Sequence, residues 1–255
     1  MTKEIVQEYY GKTLQGSEDL KTSACCSTVR PPDPVIAAME HIHPEVSGRF
    51  YGCGVVVPDG SLTGWRVVDL GSGSGQDVYI LAQLVGQDGE VIGVDMTPEQ
   101  LDVARRHEDW HRERFGYDRS NVRFIEGHVD RLQDLDIAPG SVDLIVSNCV
   151  INLVPEKAAV FAGAAHLLKP GGRFLFSDVF VDRPIPADLA NDPVILGECL
   201  GGAMQVDQFE QLRSEAGFAA PVWREVRDLT VDDPAIAAKL EGFTFESRTV
   251  ELVRR

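Results

Sequence analysis

Five cysteines are the residues whose chemistry stands out most, because a thiolate is a nucleophile and a ligand for soft cations. They are Cys25, Cys26, Cys53, Cys149 and Cys199. Cys25 and Cys26 are adjacent. The other cysteines lie too far apart in the sequence to form a local zinc knuckle. Cys149 follows a predicted strand, at the edge where open α/β sheets bind their ligands. A lone buried cysteine is most often a small core residue, so this position by itself leaves both interpretations open.

A glycine-rich turn is the second feature that predicts a binding site. The sequence from Val67 to Leu70 predicts a strand, and a helix is predicted soon after it. The turn between them carries Gly71, Ser72, Gly73 and Gly75. Glycines let the backbone N–H groups of such a turn approach a ligand at the helix N-terminus. Asp95 ends the next predicted strand, where a carboxylate can accept the two ribose hydroxyls of a nucleoside.

The spacing of this turn argues against a dinucleotide. The dinucleotide fingerprint is Gly-x-Gly-x-x-Gly, and Gln76 stands where its third glycine would lie. The carboxylate of Asp69 favours a ligand with a positively charged amino-acid end over a pyrophosphate. The pattern resembles the class I S-adenosylmethionine (SAM) methyltransferases, which implies SAM as the cofactor. The alternative is a tight turn that binds no ligand.

A His-Glu-x-x-His sequence runs from His107 to His111 and matches the zinc-protease pattern. Two histidines four residues apart on a helix can bind zinc. Charged residues follow directly, and a doubly wound fold places an outer, partly solvated helix at this point. No third histidine follows at the metzincin spacing. We therefore expect a solvent-facing helix without zinc.

Alternating strands and helices predict the fold class. Strands are predicted at Arg66–Leu70, Val91–Asp95, Val122–Ile125, Val142–Ser147 and Arg173–Asp178. Helices are predicted over about 3–15, from Asp33 as an N-cap, from Thr97 with a capping box to Gln100, and from near Pro155. Such alternation predicts an α/β fold, a doubly wound, mostly parallel and Rossmann-like sheet.

The chain divides into three predicted parts. Residues 1–64 form an N-terminal helical cap that carries Cys25, Cys26 and Cys53. Residues 65–180 form the SAM-binding α/β core. Residues 181–255 begin with a long connection that carries Cys199 and end in a small C-terminal α+β elaboration, with a helix over 207–216 and strands near 222–229 and 243–253.

The composition excludes several classes of partner. The chain has 24 Lys and Arg against 40 Asp and Glu, a net charge of −16. An acidic surface repels phosphate groups, so we expect neither nucleic acid nor an anionic membrane as a partner. No apolar run approaches the roughly 18 residues of a membrane helix, and the N-terminal sequence is too polar for a signal peptide. These features predict a cytoplasmic protein with reduced cysteines.

Further motifs resemble those of the arsenite SAM methyltransferases, from the N-terminal helix to at least residue 218. The most specific are Asn148-Cys149-Val150-Ile151-Asn152-Leu153 and Gly197-Glu198-Cys199-Leu200-Gly201-Gly202-Ala203. Accompanying stretches are Ala24-Cys25-Cys26, Tyr51-Gly52-Cys53-Gly54, Val94-Asp95-Met96-Thr97, Lys169-Pro170-Gly171-Gly172 and Ser177-Asp178-Val179.

The resemblance implies a role for each site residue. It implies that Cys149 and Cys199 bind As(III), that Cys25 and Cys53 join them and can form a disulfide, and that Cys26 has no such role. His128 and Val129 would flank the adenine, and Asn148 would lie under the methionine part. The complete set of implied SAM contacts is Tyr51, Asp69, Gly71, Ser72, Gly73, Gly75, Asp95, Met96, His128, Val129 and Asn148. The implied partners are arsenite or methylated trivalent arsenicals and a thioredoxin- or glutathione-type reductant.

The chemistry of these residues agrees with arsenic methylation. Trivalent arsenic is soft and binds thiolates, and its lone pair can attack the methyl group of SAM without a general base. Arsenous acid is mostly uncharged, so the acidic surface does not repel it. One alternative is a SAM methyltransferase for an ordinary oxygen, nitrogen or carbon nucleophile, which needs a base beside the methyl group. Another is a non-enzymatic arsenic-binding protein, which has no use for the SAM turn and Asp95.

Overall fold

The predicted strands form one sheet in the computed structural model, which describes residues 2–14, 30–52 and 56–255. The strands are β1 (Arg66–Leu70), β2 (Glu90–Asp95), β3 (Val122–Glu126), β4 (Val142–Asn148), β5 (Leu168–Val181), β6 (Val222–Asp228) and β7 (Phe245–Val253). Their order is β3-β2-β1-β4-β5-β7-β6. The first five are parallel, and β7 is antiparallel to both of its neighbours. The doubly wound, mostly parallel sheet is confirmed.

Helices and short helical turns connect the strands. The α-helices are α1 (Thr2–Glu8), α2 (Asp33–Met39), α3 (Pro44–Ser47), α4 (Gln76–Val85), α5 (Pro98–Arg106), α6 (Glu108–Phe115), α7 (Lys157–Leu167), α8 (Ala187–Ala190), α9 (Pro193–Gly197), α10 (Val206–Glu215) and α11 (Pro234–Lys239). A π-helical turn over Tyr9–Thr13 continues α1, and 3₁₀ turns lie at Leu132–Asp134 and Ile151–Leu153.

Each face of the sheet has its own hydrophobic core. Successive side chains of a strand point to opposite faces, and in β1 the buried Val67 and Val68 accordingly belong to different clusters. Residues of α2, α4 and α5 cover one face, and residues of α7 and α10 cover the other. Burial on both faces explains why the central strands β1, β2 and β4 are largely apolar.

Two predicted helix caps differ in detail from the structure. The first helical residue after Thr97 is Pro98, as predicted, but Thr97 makes no side-chain cap. Gln100 forms no capping box, because its amide donates instead to the carbonyl oxygen of Tyr10 at 2.9 Å. Asp33 is the first residue of α2 rather than its N-cap, which is Pro32. At Gln100 a tertiary contact therefore replaces the local cap that the sequence suggests.

The histidines of the zinc-like sequence do not lie on one solvent-facing helix. His107 separates α5 from α6, and His111 is fully buried. The His111 ring stacks on Tyr79 with ring centroids 3.5 Å apart, and burial lowers its pKa to about 4. One ring nitrogen contacts the carbonyl oxygen of His107 at 2.7 Å, and the other accepts the backbone N–H of His43. The expectation of an exposed helix is therefore wrong at His111, which is a core histidine.

The C-terminal strands extend the central sheet. β7 pairs along β5 from Arg173 to Val181, and β6 pairs with β7 at the sheet edge. A third hydrophobic cluster forms beside them, and it contains both Cys149 and Cys199. The boundaries at 64/65 and 180/181 stay predictions. Within the described residues, no helix is both long and apolar enough to cross a membrane.

Candidate active site

An open cavity of about 980 Å³ lies at the carboxyl ends of β1, β2 and β4. Ligands of open α/β sheets bind at this edge. All of the predicted SAM contacts except Gly75 line the cavity. Cys149 also lines it, so the cavity places a candidate arsenic ligand beside the candidate cofactor site.

The glycine turn brings its backbone close to this cavity. Gly71, Gly73 and Gly75 have φ angles of 74°, 51° and 91°. Residues other than glycine rarely adopt positive φ angles. Gly75 is the N-cap of α4. At Gly71 space is limiting as well, because a Cβ atom would lie 2.3 Å from Cγ2 of Val150. The turn therefore requires glycine for conformation at three positions and for close packing at one.

Gly71→Ala is expected to destabilise the protein by about 1–3 kcal/mol more than Gly116→Ala, since it adds a steric clash to the cost of positive φ. Gly116 is a matched control with φ of 73°, and a Cβ atom added there would have no neighbouring atom within 4 Å. Urea unfolding of both variants measures the difference. Equal losses of stability would show that Val150 moves aside without cost.

Asp95 is held in place by the backbone of the same turn. Its Oδ2 accepts the N–H of Gly73 at 2.9 Å, and its Oδ1 accepts the N–H of Thr97 at 2.8 Å. Each carboxylate oxygen has a further lone pair, which suits two ribose hydroxyls. Burial raises the pKa of Asp95, and these backbone hydrogen bonds oppose that rise.

Three buried carboxylates line this one cavity. Asp69, Asp77 and Asp95 are 2%, 8% and 9% exposed. Burial raises the pKa of Asp77 to about 6, and burial with repulsion from Asp77 and Asp95 raises the pKa of Asp69 well above its usual value. Within the described residues, no lysine, arginine or histidine forms an ion pair with them. Such a cluster fits a cationic ligand, and SAM carries both an ammonium and a sulfonium group.

SAM affinity is expected to fall between pH 7 and pH 5, by up to about tenfold per pH unit below the pKa of each carboxyl group that must ionise. Ionised carboxylates attract the cationic ligand, and Asp77, whose pKa is about 6, becomes neutral as the pH falls. Calorimetric titration with SAM measures the profile. Asp77→Asn should bind SAM less tightly at pH 7 and flatten the profile, whereas the exposed control Asp88→Asn should do neither. A flat profile in the native protein would contradict this assignment.

Several buried polar atoms at the cavity have no hydrogen-bond partner in the described part of the chain. They are Asp69 Oδ2, Ser72 Oγ, Asp77 Oδ1, Gln100 Oε1 and His128 Nδ1. Buried polar atoms are rarely left unsatisfied, so their concentration here indicates a polar ligand. Asp77 and Gln100 were not predicted as site residues. An acid in the first turn of the helix after the glycine loop was the available signal for Asp77.

Cys149 and Cys199 are brought together although 50 positions separate them. Cys149 follows the last residue of β4, and its N–H donates to the carbonyl oxygen of Ser177 on β5. The Cys199 thiol donates to the carbonyl oxygen of Cys149 at 3.0 Å. Their sulfur atoms and a carboxylate oxygen of Asp178 all lie within 4.8 Å of one another. The two cysteines are 4% and 3% exposed, so they form a compact, buried sulfur site.

The backbone of this site is strained at both cysteines. Among the described residues, Cys149 and Cys199 are the only non-glycine residues with positive φ, at 57° and 62°. Cys199 follows α9 in a Schellman motif: its N–H donates to the Leu196 carbonyl and the N–H of Leu200 donates to the Ile195 carbonyl. Glycine is the usual residue at that position. Strained backbone at non-glycine residues clusters at functional sites, which favours a functional role for both thiols.

Two ionisable side chains, the buried Asp178 and the half-buried Lys157, lie near the cysteines. Burial raises the pKa of Asp178 to about 7, while backbone N–H groups and Lys157 oppose the rise. Burial lowers the pKa of Lys157, and the charges of Asp178 and Cys199 oppose that change. Asp178 Oδ2 also accepts the backbone N–H of Asn152, which fixes the turn that follows Cys149.

The cysteines differ in redox state, and only Cys149 and Cys199 lie within the described residues. Cys149 is disulfide-bonded, which corrects the expectation of reduced cysteines at this position, whereas the thiol of Cys199 is reduced. The predictions for Cys25, Cys26 and Cys53 lie outside the described residues. The disulfide predicted between Cys25 and Cys53 therefore stays a prediction.

Comparison with known proteins points to one family. A family model described as "Methyltransferase domain" matches residues 62–217. An arsenite methyltransferase of Aquipseudomonas alcaligenes is 51% identical over 251 residues, covering 98% of this chain and 72% of that protein. The human arsenite methyltransferase is 41% identical over 250 residues, covering 98% of this chain and 66% of that protein.

A solved structure agrees with these sequence matches. The crystal structure of CrArsM, an arsenic(III) S-adenosylmethionine methyltransferase from Chlamydomonas reinhardtii, superposes with a TM-score of 0.81 at 43% identity. The match covers 87% of this chain and 74% of that chain. The chain thus spans about two thirds to three quarters of the length of these three relatives.

Proposed function

The chain belongs to the arsenite methyltransferase family of SAM-dependent enzymes, and from this premise we propose that it transfers the methyl group of SAM to trivalent arsenic bound by Cys149 and Cys199. The observation that carries the proposal is the buried sulfur pair at the edge of the cofactor cavity. Their sulfurs lie within 4.8 Å of each other, and Cys149 itself lines the cavity.

The cofactor side of the site fits SAM residue by residue. When bound, SAM supplies an electrophilic methyl group on a positively charged sulfur. Asp95 accepts the ribose hydroxyls, while Asp69 and Asp77 provide negative charge for the cationic methionine end. His128 and Val129 flank the adenine. Asn148 lies at the end of β4 and donates its side-chain N–H to Asp77 at 3.0 Å, which orients that carboxylate.

The arsenic side of the site requires no general base. Arsenic bound to three thiolates is pyramidal, and its lone pair points away from the sulfurs. That lone pair forms the new As–C bond while the S–CH₃ bond breaks, and the electrons of the broken bond remain on the departing thioether sulfur. The protein contributes proximity and orientation, which can lower the barrier by about 7–11 kcal/mol in favourable cases. Cys25 and Cys53 are the proposed sources of the remaining thiolate.

The proposed reaction requires a reductant for two reasons. Methyl transfer formally oxidises arsenic from the trivalent to the pentavalent state, so a trivalent product requires two electrons. In addition, the disulfide of Cys149 must be reduced before its sulfur can bind arsenic. A thiolate of a thioredoxin- or glutathione-type donor attacks the disulfide, forms a mixed disulfide and releases one cysteine thiolate. A second donor thiolate then releases the other cysteine and leaves the donor oxidised to a disulfide. Cys25 and Cys53 can supply electrons to arsenic by becoming a disulfide, which the same donor then reduces. Such donors are cytoplasmic, in line with the predicted location.

Incubation with SAM carrying a labelled methyl group tests the proposal. With arsenite and a thiol reductant, we expect labelled methylarsenic species, and without the reductant turnover should stop. Mass spectrometry of the stalled enzyme should then show Cys25 and Cys53 in a disulfide. Free thiols at both positions would limit them to arsenic binding. Label that appears on an oxygen, nitrogen or carbon acceptor but not on arsenic would establish an ordinary methyltransferase, and arsenite binding without methyl transfer would establish a sequestering protein.

A further inference from the structure

The N-terminal helix contacts the residues that immediately precede Cys199. The Tyr9 hydroxyl donates to Oε1 of Glu198 at 2.8 Å, and the Tyr10 hydroxyl donates to the carbonyl oxygen of Gly197 at 2.7 Å. Two consecutive tyrosines therefore hold two consecutive residues at the start of the strained turn. The Tyr10 oxygen also lies 4.0 Å from the sulfur of Cys199.

The Tyr9 contact is buried and close-packed, and the Tyr10 contact is partly buried. Tyr9 is 7% exposed and Glu198 is 3% exposed. A Cβ atom on Gly197 would lie 2.5 Å from the ring of Tyr9, so the ring rests directly on the backbone of α9. The Gly197 carbonyl belongs to the last turn of α9, where carbonyl groups lack helical partners. The hydroxyl of Tyr10 satisfies it from outside the helix.

The same helix is fixed to the cofactor cavity at other points. Lys3 forms an ion pair with Asp130 at 2.8 Å, and the Gln7 amide donates to the carbonyl oxygen of Met96 at 2.6 Å. Tyr10 itself lines the cavity and packs edge-on against Tyr51, with ring centroids 5.6 Å apart. The two tyrosines lie on the π-helical turn that follows α1. π-Helical turns are uncommon in proteins, and those that occur often lie at functional sites.

We propose that Tyr9 and Tyr10 are positioning residues that hold the Cys199 turn against the cofactor cavity through their hydroxyl groups. Cys149 is fixed by its place at the end of β4, whereas Cys199 lies on a turn after a short helix. The distance between the two sulfurs therefore depends on what holds that turn. This inference rests on the proposed arsenic site and adds two residues that do not bind arsenic themselves.

The test compares Tyr9→Phe and Tyr10→Phe, which remove the hydroxyl groups and keep the rings. Equilibrium dialysis of the reduced protein against arsenite, with bound arsenic quantified, measures arsenite affinity, and calorimetry measures SAM affinity. We expect the arsenite dissociation constant to increase about tenfold in each variant, since Tyr9→Phe loses a buried hydrogen bond and Tyr10→Phe a partly buried one. The SAM dissociation constant should stay unchanged in Tyr9→Phe, because Tyr9 does not line the cofactor cavity. Tyr117→Phe is the matched control, because its hydroxyl donates to Ala82 away from the cavity.

A second set of variants separates positioning from general stability. Glu198→Gln keeps an acceptor for Tyr9 and should retain native arsenite affinity, whereas Glu198→Leu should lose as much as Tyr9→Phe. The double variant with Tyr9→Phe and Glu198→Leu should be no weaker than either single variant, because both remove the same interaction. Native arsenite affinity in both tyrosine variants would overturn the inference. So would an equal loss of arsenite and SAM affinity together with a lower melting temperature, which is the result of a structural role alone.

Cys199→Ser in the same experiment distinguishes this inference from the proposed function. If that variant binds arsenite as tightly as the native protein, the arsenic site itself is wrong. If it loses arsenite while the tyrosine variants keep it, only the positioning role is overturned.

Discussion

Cys199→Ser is expected to lower the rate of arsenite methylation by about 100-fold or more, since even a 1 Å displacement of a reacting atom can cost about 100-fold. Serine preserves the approximate size of the side chain but removes one of the two sulfurs that we propose hold the arsenic. SAM binding should remain, because Cys199 does not line the cofactor cavity. Rates with labelled SAM and a separate SAM titration measure the two effects.

Cys149→Ser should cause a comparable loss, and Cys26→Ser is the control that should change little. A Cys199→Ser enzyme that methylates arsenite at a near-native rate would assign Cys199 to packing alone. That role is physically reasonable, because Cys199 lies in an apolar cluster with Ile195 and Leu200. Native SAM affinity in the Cys199→Ser enzyme would exclude misfolding as the cause of its lost activity.

Asp95→Ala is expected to weaken SAM binding by about 10- to 150-fold, which corresponds to a charge-assisted hydrogen-bond contribution of roughly 1.5–3 kcal/mol. The substitution also removes the acceptor for the N–H groups of Gly73 and Thr97. The glycine turn should therefore lose part of its support. Arsenite binding by the reduced protein should persist, since Asp95 lies at the end of β2, away from the sulfur pair.

Calorimetry with SAM and dialysis with arsenite on one preparation of Asp95→Ala separate these effects. Asp88→Ala is the matched control, because Asp88 is exposed in a turn outside the cavity. Unchanged SAM affinity in Asp95→Ala would rule out the ribose assignment. Parallel loss of both ligands would indicate a damaged fold instead.

Local sequence patterns were sufficient to predict the five parallel strands of the sheet, but not that the two C-terminal strands would join it. The strand at β1, the glycine turn and the helix that ends at Gly86 follow from apolar runs and from glycine conformation, which act over a few residues. The parallel order places the ends of β1, β2 and β4 together, so Asp95 and Cys149 could be assigned to one edge of the sheet. Cys199 was predicted as the second arsenic ligand only because the sequence around it resembles a motif of the arsenite methyltransferases.

Contacts between distant segments could not be predicted in the same way. Sequence spacing does not show that His111 stacks on Tyr79 in the core, or that Gln100 donates to the N-terminal segment rather than to its own helix. The roles of Tyr9 and Tyr10 depend on which segments pack together, and neither residue has a diagnostic spacing. The positive φ of Cys199 depends on where α9 ends, and the ends of helices are the least predictable feature of a sequence.

The Schellman position of Cys199 has a consequence for protein engineering. A non-glycine residue in the left-handed region costs on the order of 1–2 kcal/mol, so glycine at this position would relieve a cost that the chain now carries. A directed-evolution screen that rewarded only heat resistance would therefore favour Cys199→Gly, which would also remove a proposed arsenic ligand. Selection for heat resistance in this chain therefore has to score arsenite methylation as a second criterion.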